Sequence, residues 1–385
     1  PRGGRQSLTR LILRKRMNFW NPPFQKMSKL SFLSWMLTLI FLVTAQLGFG
    51  QEYRISGNIR EDATGESLFG ASVYLEGTSI GTTTNDYGFY SISVEEGSYT
   101  LVISYLGFDD IREEIEVNDN LNLDFELQEA SNQLNEVILE SENIEDINIA
   151  KPEMGVNQLK VATIKQIPAV LGEVDVIKSI QLLPGVTNNG EGSSGFNVRG
   201  GSVDQNLVLL DEAIIYNTSH LLGFFSIFNA DAIKDIKLYK GNIPAKYGGR
   251  ASSVLDVRQK DGNNKRFAMT GGIGTVSSRL ALEGPLVKDK SSYLLAGRGS
   301  YAHLFLKLDE ERRDNSAYFY DLNLKTNFAI SEKDQLFLSA YFGRDVFTLA
   351  ENFSSSYGNA LGNLRWNHVF NDGIFSNLSL NYSKY

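Results

Sequence analysis

Between Tyr318 and Ile330 the chain alternates strictly. Tyr318, Tyr320, Leu322, Leu324, Thr326, Phe328 and Ile330 fall on one side, and Phe319, Asp321, Asn323, Lys325, Asn327 and Ala329 on the other. A period of two residues is that of a β-strand, because successive side chains point to opposite faces of a sheet. One face is apolar and aromatic while the other carries charge and amide, which suits a sheet with lipid on one side and water on the other. The same texture begins at Arg266, and six strands are expected, near 266–284, 291–306, 317–330, 335–346, 358–370 and 374–385. Their connections, Pro285 to Lys290, Lys307 to Ser316, Ser331 to Asp334, Asp345 to Ser356 and Asn371 to Gly373, alternate short and long. Outer-membrane barrels have short periplasmic turns and longer extracellular loops, so this alternation orients the sheet. A soluble sandwich is the alternative, and strands of this length with tyrosine-rich ends fit it poorly.

Charge and cysteine usage narrow the chemistry. The first 50 residues hold eight Lys or Arg and no acid, which leaves 29 basic against 45 acidic residues in 51–385, a formal charge of −16. So acidic a chain disfavours DNA and RNA as partners, and the lone Arg199-Gly200-Gly201 has little value as a nucleic-acid signal. There is no Cys, which excludes disulfides, thiolate nucleophiles, Cys-ligated zinc and a lipoprotein acylation site. His220, His303 and His368 lie far apart with no ligand spacing, and no cofactor is expected. A nucleophile elbow, a phosphate loop and paired catalytic carboxylates are all missing from the sequence: Gly190 to Gly195 lacks the Gly-x-Ser-x-Gly order. Gly271-Gly272-Ile273-Gly274 is expected to give a bend or a close backbone approach inside a long strand.

At the amino end, residues 1–26 are basic and without periodicity, and are treated as upstream or mis-started sequence, with Met27 the expected start and Met17 the other candidate. Residues 27–50 have a basic n-region with Lys29, an apolar stretch from Leu30 to Val43 and a small-residue end before Gln51, the layout of a secretory signal peptide. An uncleaved membrane anchor is the alternative, since the stretch approaches the ~20 residues that span a bilayer.

Residues 51–130 alternate in short runs, Tyr53 to Ile59, Ala71 to Leu75, Phe89 to Val94, Tyr99 to Ser104, Ile111 to Val117 and Leu121 to Leu127, separated by turns such as Asn85-Asp86-Tyr87-Gly88. That spacing means a β-sandwich. The string Thr64-Gly65-Glu66, Gly70-Ala71-Ser72-Val73, Gly77-Thr78, Gly81-Thr82, Asn85 to Gly88 and Tyr99-Thr100-Leu101 resembles the carboxypeptidase-D regulatory-like domain. The resemblance implies a seven-stranded sandwich that binds or spaces. No histidine or zinc-ligand cluster lies between Gln51 and Lys151, so no hydrolase is expected.

Residues 131–154 form an acidic, Asn- and Glu-rich linker. In it, Leu134, Asn135, Glu136, Val137, Ile138 and Leu139 make a β-prone island that resembles the TonB box, an extended peptide that adds as a strand to its energising partner. A last sandwich strand or plain linker is the alternative. Residues 155–262 open with Val176, Ile177, Ile180 and Leu183 at helical spacing, stopped by Pro184-Gly185. Then come Phe196-Asn197-Val198-Arg199-Gly200-Gly201, Asp204-Gln205-Asn206, Leu209-Leu210-Asp211, Tyr239-Lys240-Gly241 and Tyr247-Gly248-Gly249-Arg250. In that order these resemble the small mixed α/β plug domain of TonB-dependent outer-membrane receptors, and the amino-terminal sandwich resembles the arrangement of Bacteroidota-type receptors.

The expected fold is therefore mainly β: a seven-stranded sandwich, a mixed α/β plug, and in residues 263–385 the first six or so strands of a barrel that closes with 22 in the family. The resemblance implies a non-enzymatic receptor in the outer membrane, with the sandwich in the periplasm, that imports a scarce or bulky nutrient. The partners it implies are a TonB-type energising complex, outer-membrane lipid and an extracellular nutrient, with a surface lipoprotein as a further possible partner. The family's ligands include ferric siderophores, vitamin B12 and glycans. A surface-binding or adhesion protein anchored by the barrel is the second reading. Six strands cannot enclose a plug, so the 385 residues are expected to belong to a longer product. Arg199 and Arg250 are expected to meet acids of the barrel, as such arginines do in relatives.

The signal-peptide layout yields a direct test. Amino-terminal sequencing of the protein from cell envelopes should find nothing before Gln51, and recovery of Met27 would reject cleavage.

Overall fold

The computed structural model describes residues 52–130, 155–165, 173–188, 190, 195–301, 303–349 and 353–385. The signal-peptide segment, the linker and the Leu134–Leu139 island lie outside the described residues.

Residues 52–130 form two four-stranded sheets packed face to face. The first joins β1 (Glu52–Glu61) to β4 (Phe89–Glu95) and, on its other edge, in parallel to β7 (Leu121–Asn122) and β8 (Phe125–Leu127). The second runs β3 (Gly81–Thr83), β2 (Ser72–Leu75), β5 (Gly97–Ser104), β6 (Ile111–Val117). The expected alternation holds: Ile55, Ile59, Val73, Leu75, Ile92, Val94, Leu101 and Ile103 are buried together. Burying each such side chain contributes about 1.5–3 kcal/mol. Eight short strands stand where seven were expected, because the run Leu121 to Leu127 meets β1 in two pieces and Gly81–Thr83 adds an edge.

The plug is built on one five-stranded sheet. Its strands are β9 (Val156–Lys160), β12 (Asn206–Leu210), β13 (Ala213–Ile214), β16 (Ile233–Tyr239) and β17 (Ser253–Gln259), in the order β13-β12-β17-β16-β9. Only the β12–β17 pairing is parallel. Two small hairpins flank it, β10 (Val186–Asn188) with β11 (Phe196–Val198) and β14 (Ser219–His220) with β15 (Phe225–Ser226). Helix α1 (Val161–Ile164) follows β9, and α2 (Val176–Gln181) has the side chain of Asp175 as its N-cap, accepting from the Lys178 backbone N–H. Val176, Ile177 and Ile180 of α2 pack with Ile236, Leu238, Leu255 and Val257 on one sheet face, as their spacing predicts. That core also takes in Tyr341 and Leu361 of the wall described next.

The wall is a seven-stranded antiparallel sheet in sequence order: β18 (Ala268–Ile273), β19 (Ser277–Val287), β20 (Ser291–Ser300), β21 (Ser316–Ala329), β22 (Asp334–Leu349), β23 (Phe353–Asn371) and β24 (Ile374–Lys384). On β21 the expected faces are borne out, with Tyr320, Leu322, Leu324 and Phe328 exposed and Phe319, Asp321, Asn323 and Lys325 buried against the plug. Three boundaries differ from expectation. The first long strand is a hairpin, because the chain reverses at Gly274, whose N–H bonds to the Ser277 carbonyl at 2.8 Å and whose carbonyl accepts from the Tyr301 hydroxyl. The second strand stops at Ser300 and gives way to the helical turn α3 (His303–Leu306). Pairing from Asp345↔Tyr357 to Leu349↔Phe353 extends β22 and β23 through the segment expected as a long loop. One end of the sheet carries the long connection between β20 and β21 together with the short turn 274–276, while 288–290, 330–333 and 372–373 are short and share the opposite end.

Because the sandwich core is separate from that of the plug, Ile103→Ala should destabilise it alone, by about 2–5 kcal/mol. Hydrogen exchange should then speed up in β4 and β5 and stay unchanged in β16 and β17.

Candidate functional site: the charged junction of plug, wall and sandwich

Alternation along β16 and β17 gives the plug sheet two unlike faces. Ile236, Leu238, Leu255 and Val257 lie on the apolar side, whereas Asp235, Lys237, Asp256 and Arg258 lie on the other and are nevertheless buried. The wall's inward positions are likewise polar: Arg298, Asp321, Lys325, Asp345 and Arg365 are all buried. Charges removed from water need partners, and here many of the partners come from a different part of the fold.

The most enclosed group centres on Arg298 of β20. Its guanidinium bonds to Asp321 of β21 through Nε at 2.9 Å and Nη2 at 2.6 Å, to Glu173 of the plug through Nη1 at 2.8 Å, and to the Ser226 carbonyl at 2.7 Å. Ser277 of the wall donates to the other oxygen of Glu173. Next to it, His220 of the plug places Nε2 3.2 Å from Asp321 and Nδ1 2.7 Å from Asp345, with its ring stacked on Phe319 at 4.3 Å. Burial disfavours the imidazolium, but the hydrogen bonds to Asp321 and Asp345 outweigh it and hold the His220 pKa above its usual value. Leu221, at φ 49°, donates its backbone N–H to Asp345 at 2.8 Å.

A second group surrounds Lys325 of β21, which reaches Asp211 at 3.3 Å and Asp261 at 3.0 Å. Lys234 of β16 lies 3.6 Å from Asp261 and 3.9 Å from Glu66 of the sandwich, and donates to the Ser67 carbonyl at 2.6 Å. A third forms where the sandwich turn meets the plug: Asp86 binds Lys237 at 2.6 Å, Arg258 at 3.0 Å and Lys246 at 3.0 Å. Burial works against the Asp86 carboxylate, yet these three cations, Arg258 foremost, hold its pKa well below the usual carboxylate range.

The plug-motif residues fall in two places. Arg199 (φ 47°), Gly200 (φ 82°) and Gly201 form a turn beside Gly185, whose carbonyl accepts from the Arg199 N–H at 2.9 Å. Lys240 joins them by donating to the Pro184 carbonyl at 2.8 Å, and its own N–H bonds to Gly155 where the chain enters the plug. Gly241 lies against Arg199, and Asp204 accepts from Ser202. Tyr247 donates to Asp256 at 2.9 Å, and Gly248 and Gly249 lead to Arg250, which donates to the Gly249 carbonyl at 3.0 Å. Asp211 alone among them reaches the wall. Arg199 and Arg250 are exposed and pair with no carboxylate among the described residues. In the Arg298 group the wall supplies the arginine and the plug the acid, Glu173. Sequence reasoning missed Glu173, His220, Arg298, Lys325, Asp86, Lys237 and Arg258. The available signal was charge at alternate positions of strands otherwise too apolar to face water.

The plug sheet is thus lodged by ion pairs against an inward-polar, outward-apolar antiparallel wall and is preceded by a small sandwich. Residues 55–139 match the CarboxypepD_reg-like domain and residues 154–254 the TonB-dependent receptor plug domain, and the first match takes in the Leu134–Leu139 island. TonB-dependent receptor P3 of Formosa agariphila is 31% identical over 104 residues, covering 27% of this chain and 10% of that protein. TonB-dependent receptor SusC of Bacteroides thetaiotaomicron is 25% identical over 257 residues, covering 60% of this chain and 23% of that protein. Among solved structures, the siderophore receptor PirA from Acinetobacter baumannii aligns with a TM-score of 0.47 at 17% identity, over 60% of this chain and 40% of that one. The chain thus carries a carboxypeptidase regulatory-like domain followed by a TonB-dependent receptor plug domain, and it spans less than a quarter of the length of these curated relatives.

Removing the Arg298 side chain strands Glu173 and Asp321 in the interior. Arg298→Met should therefore cost about 3–5 kcal/mol, read as a lowered unfolding midpoint of the full-length receptor in detergent. An unchanged midpoint would show that the acids find other partners.

Proposed function

We propose that this protein works in the outer membrane as an energised importer, with the plug as the moving part and the sandwich on the periplasmic side. The observation that carries this reading is the interface between plug and wall. It is small in apolar contact, built around Tyr341, Leu361 and Phe319, and rich in ion pairs. The side of the sandwich is supported by the turns. Ser91 Oγ donates to the Asp372 carbonyl at 2.5 Å, and Lys265, 3.3 Å from Asp289, also reaches Glu126 of the sandwich at 2.9 Å. Both wall residues belong to the end at which every described connection is short, and in outer-membrane barrels the short turns face the periplasm.

Coupling is assigned to Leu134–Leu139, whose backbone would add as a strand to the TonB-type partner. The nutrient is a siderophore, glycan, peptide or cofactor, and a surface lipoprotein is a candidate partner in its capture.

Host cells offered ferric siderophores, cobalamin and oligosaccharides should take up one class only when the receptor is present. Val137→Pro removes a backbone donor and fixes φ, so that uptake should fall at least tenfold while surface binding of the same probe is kept. Binding without any uptake in the unmodified receptor would favour the surface-adhesion reading.

A further inference from the structure

The charged face of the plug sheet is closed by a turn of the sandwich. Asn85 makes this turn rigid by accepting from the backbone N–H groups of Tyr87 at 2.9 Å and Phe89 at 3.1 Å. Gly88 completes it at φ 80°, where an added Cβ would strike the Ile59 carbonyl. The tip thus presents Asp86 and Tyr87 in fixed positions. Asp86 goes to the cations of the plug, of which the Lys237 and Arg258 side chains are 2% and 8% exposed. Tyr87 spans plug and wall together: it donates to Glu212 at 2.7 Å, accepts from Asn377, lies under Arg365 at 4.7 Å and stacks on Phe375 at 5.5 Å. Phe89 stacks on the same ring at 5.4 Å.

We propose that the Asn85–Gly88 turn is a lock that fastens the plug in the wall and has to withdraw before the plug can move. The role as a lock rests on the import reading above, whereas the docking contact does not. Connectivity supports it. The segment 131–154 joins the sandwich, ending at Ala130, to β9, which is the edge strand of the plug sheet. β9 pairs with β16 in a register that sets Gln158 opposite Lys237, the residue that holds Asp86. Tension on that segment therefore loads both attachments of the lock, the sandwich from one side and the strand bearing Lys237 from the other. Withdrawal leaves Lys237 and Arg258 without their shared acid, so the docked state is restored once tension ends.

None of these 385 residues is a cysteine, and any elsewhere in the full-length receptor are replaced by serine before the labels are introduced. Spin labels at Glu113→Cys on the sandwich and Glu332→Cys on a wall turn, both exposed sites, should give one narrow distance in the full-length receptor. Asp86→Asn should enlarge a second, broad population at least tenfold. Lys237→Met, which leaves the sandwich untouched, should shift it the same way. An unchanged distribution in Asp86→Asn, or an effect confined to that variant, overturns the docking contact. For the lock, Ser56 Oγ and Asp372 Oδ1 lie 3.3 Å apart, so Ser56→Cys with Asp372→Cys can be joined by diamide oxidation, fastening the sandwich to the wall. Uptake of the probe that the reduced receptor imports should fall at least tenfold on oxidation and return with reductant. Undiminished uptake in the oxidised receptor overturns the lock, while a reduced receptor that imports nothing counts against the import reading alone.

Discussion

A buried charge has to be answered, and in this protein much of the answer comes from another part of the fold. Arg298 of the wall is met by Glu173 of the plug, Lys325 of the wall by Asp211 and Asp261, and Lys237 and Arg258 of the plug by Asp86 of the sandwich. None of the three parts can complete its polar face alone. The apolar side of the plug sheet folds on α2 by ordinary helix-on-sheet packing, but its charged side is stable only when covered by a carboxylate. Assembly in one geometry follows, because a displaced sandwich or wall would strand several charges at once.

Much of this was legible in the sequence, and what was not shares one cause. The strict alternation from Tyr318 to Ile330 separated the outward from the inward residues of β21 correctly, and Val176, Ile177 and Ile180 marked the buried side of α2. Periodicity reports which side a residue occupies, not what waits there. Arg298 and Glu173 lie 125 positions apart, as do His220 and Asp345, so no local pattern could pair them. Arg199 and Arg250 drew attention through their glycine neighbours, which mark turns, and turns put side chains outward. The hairpin at Gly274 was hidden for the converse reason: Gly271 and Gly272 have no side chain with which to show on which side of a reversal they lie. Residues 345–349 and 353–356 of the loop expected from Asp345 to Ser356 are strand, because its serines pair as well as apolar residues do when the neighbouring strand is equally long.

The sandwich carries the name of a regulatory module, and its physical contribution is definite. Its interior is a self-contained apolar core, so folding asks nothing of its neighbours. Its surface makes the specific contacts: Glu66 and Ser67 to Lys234, Asp86 to three cations, and Tyr87 across plug and wall. A domain that folds alone and docks through a few charged residues can leave and return intact. A domain sharing the plug's core could not.

The same argument bears on why the plug meets the wall through ions and amides rather than leucines. A buried ion pair contributes little net stability, because the desolvation cost offsets most of the attraction, but breaking it by removing one partner in a dry interior is severe. Register is therefore strictly enforced while the interface stays closed. When water enters, each charge recovers its hydration and the surfaces separate at small cost, whereas an apolar interface of equal area would resist at about 25 cal/mol per Å². A plug seated by Glu173, His220 and Asp211 is thus held in one position and yet remains separable, which is what the proposed import requires of it.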